Sequence, residues 1–178
     1  MNCALKHLIF SQLLFLFLSS YCFADSRYIT GQGYTGTVTR VFDGDTVAVR
    51  TKGGRTIKVR LYGVDCPERA RRGEWSEQAG NKDATEFTRA FVFKKEVRVR
   101  LTGDKTHKRV VGEVFIDDTS LSSELVAKGL CWWNWKFAPD DTNLKGLQKK
   151  ARAERIGLWK DGHLTRPIPP WVHRRKKR

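Results

Sequence analysis

Between Tyr34 and Tyr62 the chain carries three short runs of alternating character, separated by Asp43-Gly44-Asp45 and Gly53-Gly54. This punctuation constrains the fold more than any other feature of the sequence. Glycine supplies the backbone freedom a tight hairpin needs, and aspartate bonds back onto its own turn. Tyr34 to Phe42, rich in Thr and Val, is expected as a first strand, Thr46 to Thr51 as a second and Arg55 to Tyr62 as a third. Val47 and Val49 share one face of the second strand, with Ala48 and Arg50 opposite. In the third, Ile57, Val59 and Leu61 face the core and Arg60 points away from it. Three strands joined by two tight turns make an antiparallel meander.

Two further strands follow an intervening helix. The helix is expected from about Glu77 to Phe93, capped by Ser76, with Ala84, Phe87 and Phe91 on its buried face. Alternation resumes at Glu96 to Leu101 and again at Arg109 to Ile116, where Val110, Val114 and Ile116 lie opposite Arg109. Ser122 is placed to cap a short helix through Lys128 that Gly129 ends, and a last helix starts near Pro139-Asp140-Asp141 and ends near Gly157. It buries Leu144, Leu147 and Ala151 on one side. The expectation is an α+β domain, mainly β: a five-stranded antiparallel barrel of the OB type with about three packed helices.

The ends of the chain differ from this middle. Lys6, the apolar run from Leu8 to Leu18 and the small-residue stretch ending at Ala24 have the three parts of a secretory signal, too short for a comfortable membrane span. The expected division is residues 1–24 as signal, 25–33 as a polar lead-in, 34–160 as the domain and 161–178 as a Pro-containing basic tail. That tail ends in Arg174-Arg175-Lys176-Lys177-Arg178 and is expected to be extended, mobile and dispensable for chemistry. Export to the periplasm or the medium follows, without stable membrane association once the signal is removed. Of the four cysteines, Cys66 and Cys131 remain in the mature chain. Export permits a disulfide between them; separate roles, in backbone geometry and in packing, are the alternative.

Chemistry concentrates in Arg60-Leu61-Tyr62-Gly63-Val64-Asp65-Cys66-Pro67-Glu68. Asp45, Asp65 and the carbonyl of Cys66, whose direction Pro67 restricts, form a half-open set of hard oxygen ligands. Calcium suits such a set better than magnesium, and a phosphate oxygen with waters would complete it. Glu68 is near enough to take a proton from water or to orient it. Arg60, with an arginine from the fifth strand, supplies fixed positive charge where a phosphodiester gains negative charge. Singly, each has a plainer reading: a hairpin turn, a surface glutamate, a solvated strand arginine. The formal net charge of +15 adds a polyanionic partner, nucleic acid first and an anionic glycan or membrane surface second.

Taken together these residues resemble the staphylococcal nuclease family over roughly Tyr34 to Trp171. Asp43-Gly44-Asp45-Thr46-Val47 is similar to its first motif and Arg60 to Glu68 to its second, while Lys105 to Gly112 is similar to the third more loosely. Gly129-Leu130-Cys131-Trp132-Trp133, Gly157-Leu158-Trp159 and Pro169-Pro170-Trp171 resemble further family segments. The resemblance implies an OB-type barrel that hydrolyses DNA and RNA with calcium (Ca2+), breaking the bond on the 5′-oxygen side and leaving 3′-phosphates; a monomer is expected. By the same resemblance Asp45, Asp65 and the Cys66 carbonyl hold calcium, Glu68 is general base or water positioner, and Arg60 and Arg109 grip the phosphate. The third motif departs from the family: Lys105 stands for an acid, His107 for a tyrosine and Lys108 for a glycine. Lys108 therefore competes with Arg109 for the second cation, with strand register favouring Arg109. Trp135 and Phe137 stand where the family places base-binding tyrosines, and can stack on a base or pack as ordinary aromatics. The competing class is a non-catalytic OB-type module that binds nucleic acid or another polyanion. Placing Asp45, Asp65 and Glu68 beside Arg60 argues against it, because a pure binder gains nothing from carboxylates beside a polyanion.

Overall fold

The computed structural model of the chain describes residues 33–106, 109–160 and 167–175. Strands β1 (Gly33–Asp43), β2 (Thr46–Thr51) and β3 (Thr56–Leu61) form the expected meander. After the short β4 (Val64–Asp65) and helix α1 (Asn81–Val92), β5 (Glu96–Thr106) pairs antiparallel with β1, and β6 (Arg109–Ile116) pairs antiparallel with β5. The ring closes where β6 meets β3, Val59 opposite Val110 and Leu61 opposite Gly112. This one seam runs parallel, so the OB-type barrel is mixed. Beyond it come β7 (Thr119–Ser120), α2 (Leu121–Ala127), β8 (Trp132–Trp133), α3 (Thr142–Ala153) and, in the tail, α4 (Pro170–His173).

The barrel interior is built from β-branched side chains: Val38, Val47, Val49, Val59, Val97, Val99 and Val114 are fully buried or nearly so. Valine is stiff at χ1 and fills a pleated interior at low entropic cost. Each such burial contributes about 1.5–3 kcal/mol. Leu121, Leu125 and Val126 of α2 and Leu144 of α3 extend the same core.

Several local expectations shift in register. Helix α1 starts at Asn81, behind Gly80 at φ 87, and not at Glu77 behind Ser76. Residues before Gly80 are used elsewhere: Gln78 bonds the backbone of Glu68 in both directions. The deeply buried face of α1 carries Asn81, Ala84, Thr88 and Val92, with Phe87 and Phe91 packed at its margin. Ser120, not Ser122, caps α2 by accepting from the Ser123 N–H, and Asp141 caps α3 by accepting from the Leu144 N–H at 2.9 Å. Ser122 is instead buried and donates to the Tyr62 carbonyl at 3.0 Å, tying α2 to the end of β3.

The tail departs most from expectation. Residues 167–175 are docked rather than extended, with Pro170 buried and Trp171 against the cluster of Trp132, Ala151 and Trp159. Residues 1–24, the expected signal, lie outside the described residues, as does Lys108.

Candidate active site

Five chain segments bring charged side chains together here, and the turn between β1 and β2 is the most firmly held. Asp43 pairs with Thr46, which leaves Gly44 and Asp45 as a two-residue turn beside a register irregularity in β1. The Asp45 carbonyl accepts from the Leu61 N–H of β3 at 2.8 Å, and the Gly44 carbonyl accepts from the Thr88 hydroxyl of α1 at 2.6 Å. Asp45 Oδ2 accepts from the Cys66 N–H at 2.8 Å. Only glycine fits at position 44: a Cβ there would lie 2.8 Å from Ala84 Cβ and 2.9 Å from Cys66 Cβ. The turn is thus fixed on strand, helix and loop at once, and the carboxylate of Asp45 is buried with it.

Arg60 joins the two central carboxylates. Its Nη1 is paired with Asp45 Oδ1, and its Nη2 donates to Asp65 Oδ1 at 2.6 Å and to the Val64 carbonyl at 3.2 Å. Asp45 and Asp65 therefore sit at the two prongs of one guanidinium fork, both almost wholly out of water. Flanking Val59 and Leu61 are buried in the barrel, so the strand itself sets the direction of Arg60.

Glu68 lies one loop further out. Gln78 fixes its backbone, the Glu68 N–H donating to Gln78 Oε1 at 3.1 Å and the Glu68 carbonyl accepting from the Gln78 N–H at 2.8 Å. Asn81 Nδ2 donates to the Pro67 carbonyl at 2.7 Å, which ties the same loop to the start of α1. Burial raises the pKa of Glu68 above the usual carboxylate range, and the hydrogen bond from Arg174 only partly offsets it.

Arg109, at the start of β6, places Nη1 3.5 Å from the Thr46 hydroxyl. Burial lowers its pKa from the ordinary arginine value, and the charge of Arg60 adds to this while Asp43 and Glu68 oppose it. It therefore faces the same cluster. Cys66 is buried and bonded to Cys131, so a disulfide fastens the loop carrying Asp65 and Glu68 to the segment after α2. Trp132 is core and Trp133 half-buried, whereas Trp135 and Phe137 stand out at 53% and 70% exposure. The Asn134 N–H donates to the Gly63 carbonyl at 2.8 Å, which brings this exposed pair close to the end of β3.

The family model described as staphylococcal nuclease homologue matches residues 58–161. The chain belongs to the staphylococcal nuclease family. An uncharacterized endonuclease of Haemophilus influenzae is 30% identical over 173 residues, covering 97% of this chain and 87% of that protein. A micrococcal nuclease of Shigella flexneri is 30% identical over 152 residues, covering 80% of this chain and 81% of its own. A thermonuclease of Staphylococcus intermedius is 30% identical over 140 residues, with 75% and 80% covered.

Within this staphylococcal nuclease domain, two groups at the site escape a reading of the sequence. Asp43 is one: burial raises its pKa, partly offset by Arg60, a hydrogen bond with Thr46, and Arg109. A turn containing two aspartates was the available signal. Arg174 is the other, reaching the carboxylates from the tail that was expected to be extended. Its Nη1 donates to Asp65 Oδ1 at 3.1 Å and pairs with Glu68 Oε1, while its Nη2 donates to Asp65 Oδ2 at 2.8 Å. Nothing in a run of basic tail residues distinguishes the one that reaches the carboxylates.

Proposed function

We propose that this chain is a calcium-dependent endonuclease that hydrolyses phosphodiester bonds in DNA and RNA with little sequence specificity and leaves 3′-phosphates. The observation that carries the proposal is the Arg60 fork, which holds Asp45 and Asp65 side by side within reach of Glu68 and Arg109. The family membership and the nuclease names of the relatives support the reaction class.

The donor set fits a hard divalent cation. Among the described residues no three His, Cys, Asp or Glu side chains are grouped to hold a metal; Asp45 and Asp65 lie on one guanidinium, and the Cys66 carbonyl follows Asp65 directly in the chain. Two buried carboxylates side by side are stable only against positive charge, here guanidinium. Asp45, Asp65 and the Cys66 carbonyl would hold calcium, with the remaining positions left to water and substrate. When bound, calcium supplies Lewis-acid polarisation of a phosphodiester oxygen.

The side chains do the rest. Arg60 and Arg109 bind the phosphate and stabilise the charge that builds on it. Glu68 orients the attacking water and accepts its proton as the new bond from oxygen to phosphorus forms and the bond from phosphorus to the 5′-oxygen breaks; the leaving 5′-oxygen takes a proton from solvent water to become a hydroxyl, and Glu68 returns its proton to solvent. Its raised pKa places it nearer to neutrality than an ordinary glutamate, which suits a proton acceptor. Trp135 and Phe137, exposed beside the mouth, offer aromatic faces to a base without reading its edge. Export is part of this reading, supported by the apolar segment near the N-terminus and by the Cys66–Cys131 disulfide, a bond favoured outside reducing compartments.

The test is plasmid digestion by the purified protein in calcium and in chelator. Nicking and linearisation that need calcium are expected. DNA that stays intact in calcium while the protein binds it would replace the enzyme with a nucleic-acid-binding module.

A further inference from the structure

Arg174 meets the carboxylates at the place where the metal would bind. Asp65 Oδ1 already accepts from Arg60, and with Arg174 it accepts two N–H groups, about the capacity of one carboxylate oxygen. The other oxygen, Oδ2, accepts from Arg174 Nη2 at 2.8 Å. The same guanidinium pairs with Glu68, the group assigned to water. Burial works against the charge on Arg174, but bonds to Asp65 and Glu68 outweigh it and raise its pKa.

The charge balance points the same way. Asp43, Asp45, Asp65 and Glu68 face Arg60, Arg109 and Arg174. Lys58 also acts on Asp43, and withdrawing Arg174 leaves the four carboxylates facing one cation fewer, a more negative site that favours a bound cation.

The segment that delivers Arg174 is anchored without it. Trp171 packs on the cluster of Trp132, Ala151 and Trp159, the His173 ring nitrogen lies 2.9 Å from the Ser76 carbonyl, and Gln78 Nε2 donates to the Ile168 carbonyl. Arg174 itself caps a helix of only four residues. Such a strap releases at far lower cost than a barrel strand.

We propose that Arg174 is a built-in competitor of the metal: docked, it occupies Asp65 and Glu68 and holds the site closed, and calcium binds as the strap lifts it away. This rests on the calcium reading of the site. The apparent affinity for calcium is then the intrinsic affinity scaled by the fraction of molecules with the strap open.

The experiment is calorimetric titration of calcium into the full chain and into Arg174→Gln, together with hydrogen exchange of the 167–175 segment with and without calcium. Arg174→Gln is expected to bind calcium about 10-fold more tightly. Saturating calcium is expected to speed exchange across 167–175 in the wild type. Trp171→Ala, which loosens the strap without touching a carboxylate, is expected to shift calcium affinity in the same direction. Equal or weaker calcium binding by Arg174→Gln, or exchange that calcium leaves unchanged, overturns the competitor and leaves the nuclease reading standing. Absence of calcium uptake by wild type and variant alike overturns both.

Discussion

Arg60 and Arg174 grip the same buried carboxylate from two very different parts of the molecule. Arg60 rises from β3, between Val59 and Leu61 in the barrel core, and β3 is paired on both sides, with β2 and with β6. Arg174 hangs from the end of a one-turn helix held by Trp171 and a few polar contacts. One cation is therefore fixed by the fold and the other by a strap. A fixed charge is what preorganised stabilisation of a phosphodiester requires, because it costs no reorganisation during the reaction. A strapped charge suits a competitor that has to leave.

The comparison predicts large losses of rate from the barrel side of the mouth. Glu68→Gln keeps the shape of the side chain and removes its basicity, so kcat is expected to fall by about 10² to 10⁴ while DNA affinity holds. Single-turnover cleavage beside a filter-binding titration checks this; an unchanged rate would show that another group handles the proton. Arg60→Ala is expected to lower the rate by about 10² to 10³. It also leaves Asp45 and Asp65 without their shared partner, so the melting temperature in chelator is expected to drop and calcium to restore part of it.

A smaller effect is expected from the fastening beneath the loop. The Cys66–Cys131 disulfide closes a span of 65 residues, and Cys131→Ser is expected to cost about 2–5 kcal/mol in urea unfolding under oxidising conditions. If stability were unchanged, the bond would not be what steadies this side of the mouth. The smallest loss is expected at the exposed rim: Phe137→Ala should weaken single-stranded DNA binding by about 1 kcal/mol, roughly fivefold, at the low end for a stacking aromatic. Equal binding by the variant would make Phe137 a bystander.

Much of the barrel side is legible in the sequence because its information is local. Strand alternation and the two glycine turns specify the meander, and alternation alone turns Arg60 away from Val59 and Leu61. Asp45, Asp65 and Glu68 follow from their turns and from Pro67. The parallel seam between β3 and β6 is less legible, since it pairs segments separated by all of α1 and β5. The start of α1 is hidden for another reason: Gln78 is diverted to Glu68 and the tail, so Ser76 never caps a helix. The disulfide depends on two distant segments meeting, which spacing alone cannot decide. Arg174 is the extreme case. Its place is set by Trp171 finding a cluster formed by three other segments, and a run of arginines and lysines looks the same whether it is docked or solvated.

The most direct measurement sets the two regions against each other: the rate of plasmid cleavage at saturating calcium by the wild type, Arg60→Ala and Trp171→Ala. If the barrel mouth performs the chemistry and the strap only closes it, Arg60→Ala falls by about 10² to 10³ and Trp171→Ala matches the wild type. A Trp171→Ala rate that falls as far as that of Arg60→Ala, or an Arg60→Ala rate equal to the wild type, would contradict the account.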